Sequence, residues 1–251
     1  MKKRIFFLVL FTLVFYFGYG ETADSILKKI EEKTIGEKAP RDIEAIMTME
    51  IHRGDSVKVR KLKVWTKNVK GDDDWRVMKF ISPSDVKNVG LLSLSEKDMY
   101  LYLPEFHRIR RIASSNKKDS FMGSDFSYED LGASAFSKNY TPEIIKENSD
   151  FWILKLKKKA GIKKPYKEIV LTVDKKSYMP VKMELYDNSG NLWKVAEQKF
   201  KKVKNYEIIF YIKMTDKKNN SFTILKMEDI KVDSNLGKRI FTKRFLKKRV
   251  K

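Results

Sequence analysis

Outside one central stretch, the chain from Asp42 to Ile230 changes polarity at every second residue, in short runs joined by short connections. Few folds accommodate both features. A period of two marks a strand with one buried and one solvated face. Connections too short for a crossover helix make neighbouring strands antiparallel. Ala45, Met47, Met49 and Ile51 alternate with Glu44, Thr48, Glu50 and His52, and Arg53-Gly54-Asp55 turns the chain. Val57 and Val59 hold one parity, Leu62 and Val64 the other. That slip predicts a β-bulge near Arg60-Lys61, a device that bends curved sheets. A turn at Lys70-Gly71-Asp72 leads to a strand from Trp75 to Ile81, which Pro83 ends. Leu91–Leu94 and Met99–Leu103 follow.

Beyond the central stretch the alternation resumes. Trp152, Leu154 and Leu156 share a face, as do Ile169, Leu171 and Val173, then Met179, Val181, Met183 and Leu185. A strong turn signal at Asp187–Asn191 precedes Trp193 and Val195. Ile208 to Met214 and Phe222 to Ile230 complete about eleven strands in a sequential meander with no internal repeat. Lys and Glu on the opposite parity (Lys155, Lys157, Lys182, Glu184) put water on the outer face, the reverse of a transmembrane barrel. Ahead of the strands, Thr22–Lys33 reads as an amphipathic helix with Asp24 as N-cap and Ile26, Leu27 and Ile30 as its apolar stripe. It is a candidate lid.

The first residues point to export. Lys2, Lys3 and Arg4 precede an apolar run from Ile5 to Phe17, and Gly18-Tyr19-Gly20 closes it. This is the pattern of a cleaved signal peptide over residues 1–20, and the run is short for an uncleaved anchor. Residues 21–251 then form one domain. The chain has no cysteine, so it has neither disulfides nor a lipid-bearing N-terminal Cys, which favours a mobile periplasmic protein. The formal charge of +21, less the three basic residues of the leader, leaves +18. Such a balance suits an anionic membrane surface, while export makes nucleic acid an unsuitable partner. The alternative is a set of lysines that merely solvate every strand. Lys238–Lys251 carries eight basic residues and no acid. It reads as a packed element around Phe241 and Phe245 with a solvated tail from Lys247, or else as a membrane contact.

The central stretch, Arg108–Gly132, breaks the pattern. A basic cluster (Arg108, Arg110, Arg111) gives way to Phe121, Phe126 and Tyr128 interleaved with Asp119, Asp125, Glu129 and Asp130. A long irregular insertion in a sheet protein commonly carries function. Within it, YLPEFHRIRRI followed by SFMGSDFSYEDL resembles the outer-membrane lipoprotein-sorting family of the LolA-like superfamily. The resemblance implies a mainly β fold with some α: a half-open, strongly curved antiparallel β-barrel whose open side is covered by an N-terminal helix and a central helical insertion. It also implies an exported carrier that holds acyl chains of lipoproteins or free lipids in an apolar cavity. Such a carrier exchanges them with membrane donor and acceptor proteins of the envelope, on the way to the outer membrane.

The residues offer little for catalysis. The two histidines, His52 and His107, are far apart, His52 on a solvated strand face and His107 in a loop. No nucleophile elbow or phosphate loop occurs, and neither a metal nor a cofactor is expected. The carboxylates could serve a hydrolase or a calcium site, but their spacing fits no calcium loop. A simpler reading has Ser124 or Asp125 capping a short helix from near Phe126, with Asp125, Glu129 and Asp130 paired to Arg108, Arg110 or Arg111, which otherwise contact lipid headgroups. Trp65, Phe80, Tyr100, Tyr102, Phe121, Phe126, Tyr128 and Trp152 are the candidate lining of an acyl-chain cavity. The Met-rich inner face suits varied apolar guests, although the same residues could fill a core. Two other functions use the same residues: a periplasmic sensor or adaptor that partners a membrane transporter or regulator, and an envelope lipid or glycan hydrolase.

Overall fold

The computed structural model describes residues 20–69, 73–132 and 135–250. The expected leader, apart from Gly20, and the Lys70-Gly71-Asp72 turn lie outside them. Alternation produces the expected antiparallel strands: β1 (Asp42–Arg53), β2 (Ser56–Lys67), β3 (Trp75–Ser82), β4 (Gly90–Ser93), β5 (Met99–Leu103) and β6 (Arg108–Arg111), then β7 (Tyr140–Glu147), β8 (Phe151–Lys158), β9 (Tyr166–Asp174), β10 (Pro180–Asp187), β11 (Leu192–Val203), β12 (Tyr206–Asp216) and β13 (Ser221–Val232). They form one sheet of 13 strands in the order β6-β5-β4-β3-β2-β1-β13-β12-β11-β10-β9-β8-β7. Two meanders thus lie side by side, joined where β1 pairs with β13 (Met47 opposite Met227, Met49 opposite Leu225). The sheet does not close, and β6 and β7 are its two free edges.

The strand count corrects the expected eleven, and the two additional strands are those edges. RIRR in β6 alternates without an apolar face, and β7 carries Pro142 and is mostly exposed. Charge and proline on an edge block pairing with another chain, and they also erase the sequence signal of a strand. The anticipated bulge is present: pairing of β2 with β3 shifts register between Lys61 and Leu62.

The sheet is curled. Glu96, in the β4–β5 turn, and Lys164, in the β8–β9 connection, are about nine inter-strand steps apart, on the order of 40 Å across a flat sheet. Their side chains meet at 2.9 Å. One buried cluster on the inner face accordingly joins Leu62, Met78 and Leu91 with Leu154, Leu171 and Ala196. Helix α1 (Ala23–Thr34) adds Ile26, Leu27 and Ile30 to it. The cap of α1 is Thr22, whose Oγ1 accepts from the Ser25 N–H, and the expected cap Asp24 sits in the first turn, where the helix dipole favours an acid.

A second, smaller core lies on the outer face of β2–β5. Trp65, Val77, Leu92 and Tyr102 are covered there by the C-terminal segment with α3 (Lys243–Lys247), through Phe241 and Leu246. Gly90 makes room for it, since a Cβ at that position would lie 2.8 Å from Leu246 Cδ1. Lys79, on the solvent parity of β3, is fully buried beneath this segment and donates to the carbonyls of Leu246 (2.8 Å) and Lys248. Burial pulls its ammonium down to about 8. The tail read as solvated from Lys247 is held as far as Val250, whose N–H donates to Asn88 Oδ1 at 3.0 Å. His52 is likewise half-buried rather than solvated, stacked on Phe222 with ring centroids 4.2 Å apart.

Candidate functional site

The chain between β6 and β7 must travel from one sheet edge to the other, so it crosses the concave side. Its first part folds as a tight hairpin. Ser120 bridges Ser127, and the Ser124 N–H donates to the Phe121 carbonyl across Met122 and Gly123, both left-handed (φ 51° and 77°). Two successive positive φ values define a type I′ turn, for which the glycine is the sequence cue. The helix expected from Phe126 does not form. Instead Ser127 and Asp130 cap a single turn reciprocally: the Ser127 N–H donates to Asp130 Oδ2 (2.8 Å) and the Asp130 N–H to Ser127 Oγ (3.2 Å). The only α-helical piece described in the crossing is α2 (Phe136–Asn139).

Polar anchors hold this segment to the sheet. The buried Asp125 carboxylate accepts from Arg53 (2.8 Å), Ser221 (2.7 Å) and Thr223 (2.6 Å), and the Asp125 N–H donates back to Thr223 Oγ1 (3.0 Å). Arg53 and Arg60 also donate to the carbonyls of Gly123 and Met122. Asp130 accepts from Lys194 (2.8 Å) and from the Tyr166 hydroxyl (2.6 Å). Burial, with Asp130 alongside, pushes the Tyr166 phenol well above its usual range and keeps it a donor. Glu129 pairs with Lys164. Burial pulls Lys164 down, but Glu129 and Glu96 together outweigh it, and its ammonium ends above the usual value.

These pairings correct the expected ones. The partners of Asp125, Glu129 and Asp130 come from the sheet and its connections, not from Arg108, Arg110 or Arg111. Arg111 pairs with Asp98 (3.0 Å), and Arg108 and Arg110 lie exposed on edge strand β6. Lys194 was the least readable partner. Trp193 and Val195 suggest the apolar parity of β11, whereas Lys194, paired opposite Leu185, faces inward to meet Asp130.

Two cavities lie under the insertion. The smaller, about 170 Å³, is lined by Tyr140, Tyr166, Ile169, Met183, Leu185 and Met214 among others. The larger, about 210 Å³, is lined by Met47, Val64, Met78, Met179, Ile208, Leu225 and Met227 together with Asn68, Asp74 and Arg76. Phe126, Asp130 and Ile212 border both and form the partition between them. Of the eight aromatics expected to line a cavity, Phe126 does so. In the inner core Phe121 stacks on Phe80 and meets Tyr128 edge to face, and Trp152 packs there on Tyr178. Trp65, Tyr100 and Tyr102 point to the outer face under the C-terminal segment. Parity separates them: Met99, Leu101 and Leu103 are the inward residues of β5. The wall of the larger cavity is methionine and branched aliphatics, which a choice by aromatic type passes over, and the other aromatics of the smaller one (Phe136, Tyr140, Tyr166) are not among the eight.

Asp74 stands out in the larger cavity. It is 4% exposed, and burial lifts its carboxyl to about 7 against the pull of Arg76. Among the described residues, no group of three His, Cys, Asp or Glu side chains could hold a metal, and no helix is long and apolar enough to cross a membrane.

Residues 72–248 match a family model whose description reads "-like: Uncharacterized protein". None of the curated proteins matches. Among solved structures, a candidate outer membrane lipoprotein-sorting domain from Vibrio parahaemolyticus aligns with a TM-score of 0.83 and 28% identity, over 90% of this chain and 100% of that one. A DUF1329 family protein from Desulfovibrio piger gives 0.82 at 23% identity, and a LolA superfamily protein from Nitrosomonas europaea 0.71 at 21%, both with the same coverage. These last two identities speak to the fold alone. The chain belongs to the family of the matching model, and its fold is LolA-like.

Proposed function

We propose that residues 21–251 form an exported, periplasmic carrier that takes up acyl chains of lipoproteins or lipids and passes them between envelope membrane proteins. The observation that carries this reading is the partition. Two largely apolar cavities, both lined in part by adaptable methionine, share a border of Phe126 and Asp130 from the insertion, the latter paired to Lys194, and Ile212 from the sheet. Each cavity alone is below the roughly 300 Å³ at which ligand pockets begin, though an apolar void of about 150 Å³ already takes up benzene. Displacing Phe126 would merge them into one space long enough for a chain. The insertion is held over this space by buried apolar residues (Phe121, Phe126, Tyr128, Leu131) together with hydrogen bonds and ion pairs, the latter of which can exchange with water. Binding by area would contribute about 25 cal/mol per Å² of chain buried.

The test is mass spectrometry of organic extracts from secreted protein purified without detergent, together with uptake of the neutral dye N-phenyl-1-naphthylamine by delipidated protein. A stoichiometric acyl compound, or saturable dye binding that Phe126→Ala increases, is expected. Protein that carries nothing and takes up no dye would overturn the reading. The adaptor alternative draws on exposed Phe106 (60%) and Ile145 (44%) beside the two free edges. A protein partner recovered at those edges would favour it.

A further inference from the structure

Among the described residues, four buried side-chain polar atoms have no hydrogen-bond partner, and three of them are oxygens: Asn68 Oδ1, Asp74 Oδ1 and Gln198 Oε1. All three belong to residues that line the two cavities. Buried acceptors are paired as a rule, so the two exceptions on the larger cavity, Asn68 and Asp74, call for a donor within that space, and Gln198 stands alone on the smaller one. In the larger cavity the assignment is firm. The Asn68 amide nitrogen already donates to the Gly36 carbonyl (2.7 Å), which fixes Oδ1 as its free acceptor.

The charges around this cavity point the same way. Its acids are Asp42, Asp74, Asp130 and Glu207, and its bases are Lys33 and Arg76. Asp42 is occupied by the N–H groups of Ser234 and Leu236, and Asp130 by Lys194. Lys33 and Arg76 are turned to the carbonyls of Ser177 and Leu131. That leaves Asp74 Oδ1 in the cavity wall without a partner, while the Val69 backbone and the Arg76 charge act on the same carboxylate from the protein side. A carboxylate head would meet two acceptors and an excess of acid there, at the desolvation cost of a buried like charge.

Resting on the carrier reading, we infer that the larger cavity binds an amphiphile whose apolar chain ends in a hydrogen-bond-donating, non-acidic head, an ammonium or hydroxyl, received by Asp74 and Asn68. The aliphatic wall of Met47, Met78, Ile208 and Met227 takes the chain. At about 30 Å³ for a water-sized group, 210 Å³ accommodates roughly seven such groups.

Octylamine, octanol and octanoate, at nine or ten non-hydrogen atoms, fill that space and reach two or three atoms beyond it, and they differ only in the head. Their affinities for residues 21–251 are measured at pH 8 by displacement of N-phenyl-1-naphthylamine. Octylamine is expected to bind at least tenfold more tightly than octanoate, with octanol between them. The formal charge of +18 on residues 21–251 (+21 less Lys2, Lys3 and Arg4) makes this demanding, because it favours octanoate everywhere else on the protein. Asp74→Asn should bring octylamine down to the level of octanol and leave octanol unchanged. Gln198→Leu, which alters only the smaller cavity, should leave the preference intact. Octanoate binding as tightly as octylamine, or a preference that survives Asp74→Asn, overturns the inference while dye uptake keeps the carrier reading. Failure of the dye and of all three amphiphiles overturns both.

Discussion

The two faces of this sheet are covered in opposite ways. On the outer face the C-terminal segment fills the space it covers, with Leu246 at Gly90, Trp65 against Phe245, and the buried Lys79 satisfied by two carbonyls. On the inner face the central insertion covers more than it fills. It leaves two cavities and three unpartnered oxygens, and it is secured by buried charge. Packing at native density stabilises without leaving room to move, whereas ion pairs and hydrogen bonds contribute less net stability and exchange readily with solvent. The outer cover is fastened mainly by close packing, the inner one by core packing and buried charge together.

Three variants sharpen or break this contrast. The largest effect is expected from Asp130→Ala, which strands the buried Lys194 ammonium and should cost about 3–5 kcal/mol in urea unfolding. The paired change Asp130→Leu with Lys194→Met should recover most of it, since an apolar pair of similar volume is often neutral or better. If the single change costs under about 1 kcal/mol, the pair does not secure the insertion.

Next is Asp74. Burial raises its carboxyl from 3.8 to about 7, so the native protein keeps a proton over a range where the unfolded chain has lost it. Stability should therefore fall as pH rises from about 4 to about 7 and then level off, by on the order of 4 kcal/mol at the limit. Asp74→Asn should remove this slope, stabilising the protein at pH 8 and leaving it unchanged at pH 4. Equal effects at both pH values would show that Asp74 is paired in the native state.

The smallest effect belongs to the outer face. Lys79→Leu leaves the Leu246 and Lys248 carbonyls without their donor, at a cost of about 1–3 kcal/mol. The damage should be confined to the C-terminal segment, seen as faster amide exchange there and unchanged exchange around Asp125. Loss of protection across the whole inner face would mean that the two covers are not independent.

Much of this was legible in the sequence. Period-two alternation located the inner strands, the parity slip before Leu62 marked a bulge, and the SFMGSDFSYEDL run marked the segment that crosses the concave side. Features hidden from local pattern share a cause, which is that their partners are distant in the chain. Lys194 and Lys79 read as solvent-facing because lysine usually is, and only tertiary contacts show them buried. Edge strands β6 and β7 lack a continuous apolar face because charge and proline sit on rims that must resist pairing. The wall of the larger cavity escaped selection by aromatic type because most of the chosen rings fill the core, and that space is left to flexible methionines and aliphatics.

The crossing from β6 to β7 gives the curled sheet the form of a strung bow, with the insertion as its string. Between Arg111 and Tyr140 there are about 28 residues, enough to span on the order of 90 Å when extended. The same sheet laid flat would part its edges by roughly 60 Å. The string is therefore slack in length and is held down where it is tied, by Asp125, Glu129 and Asp130 and by the buried Phe121, Tyr128 and Leu131. Its length would let the bow open, once those ties were loosened, without breaking a strand or straining the chain.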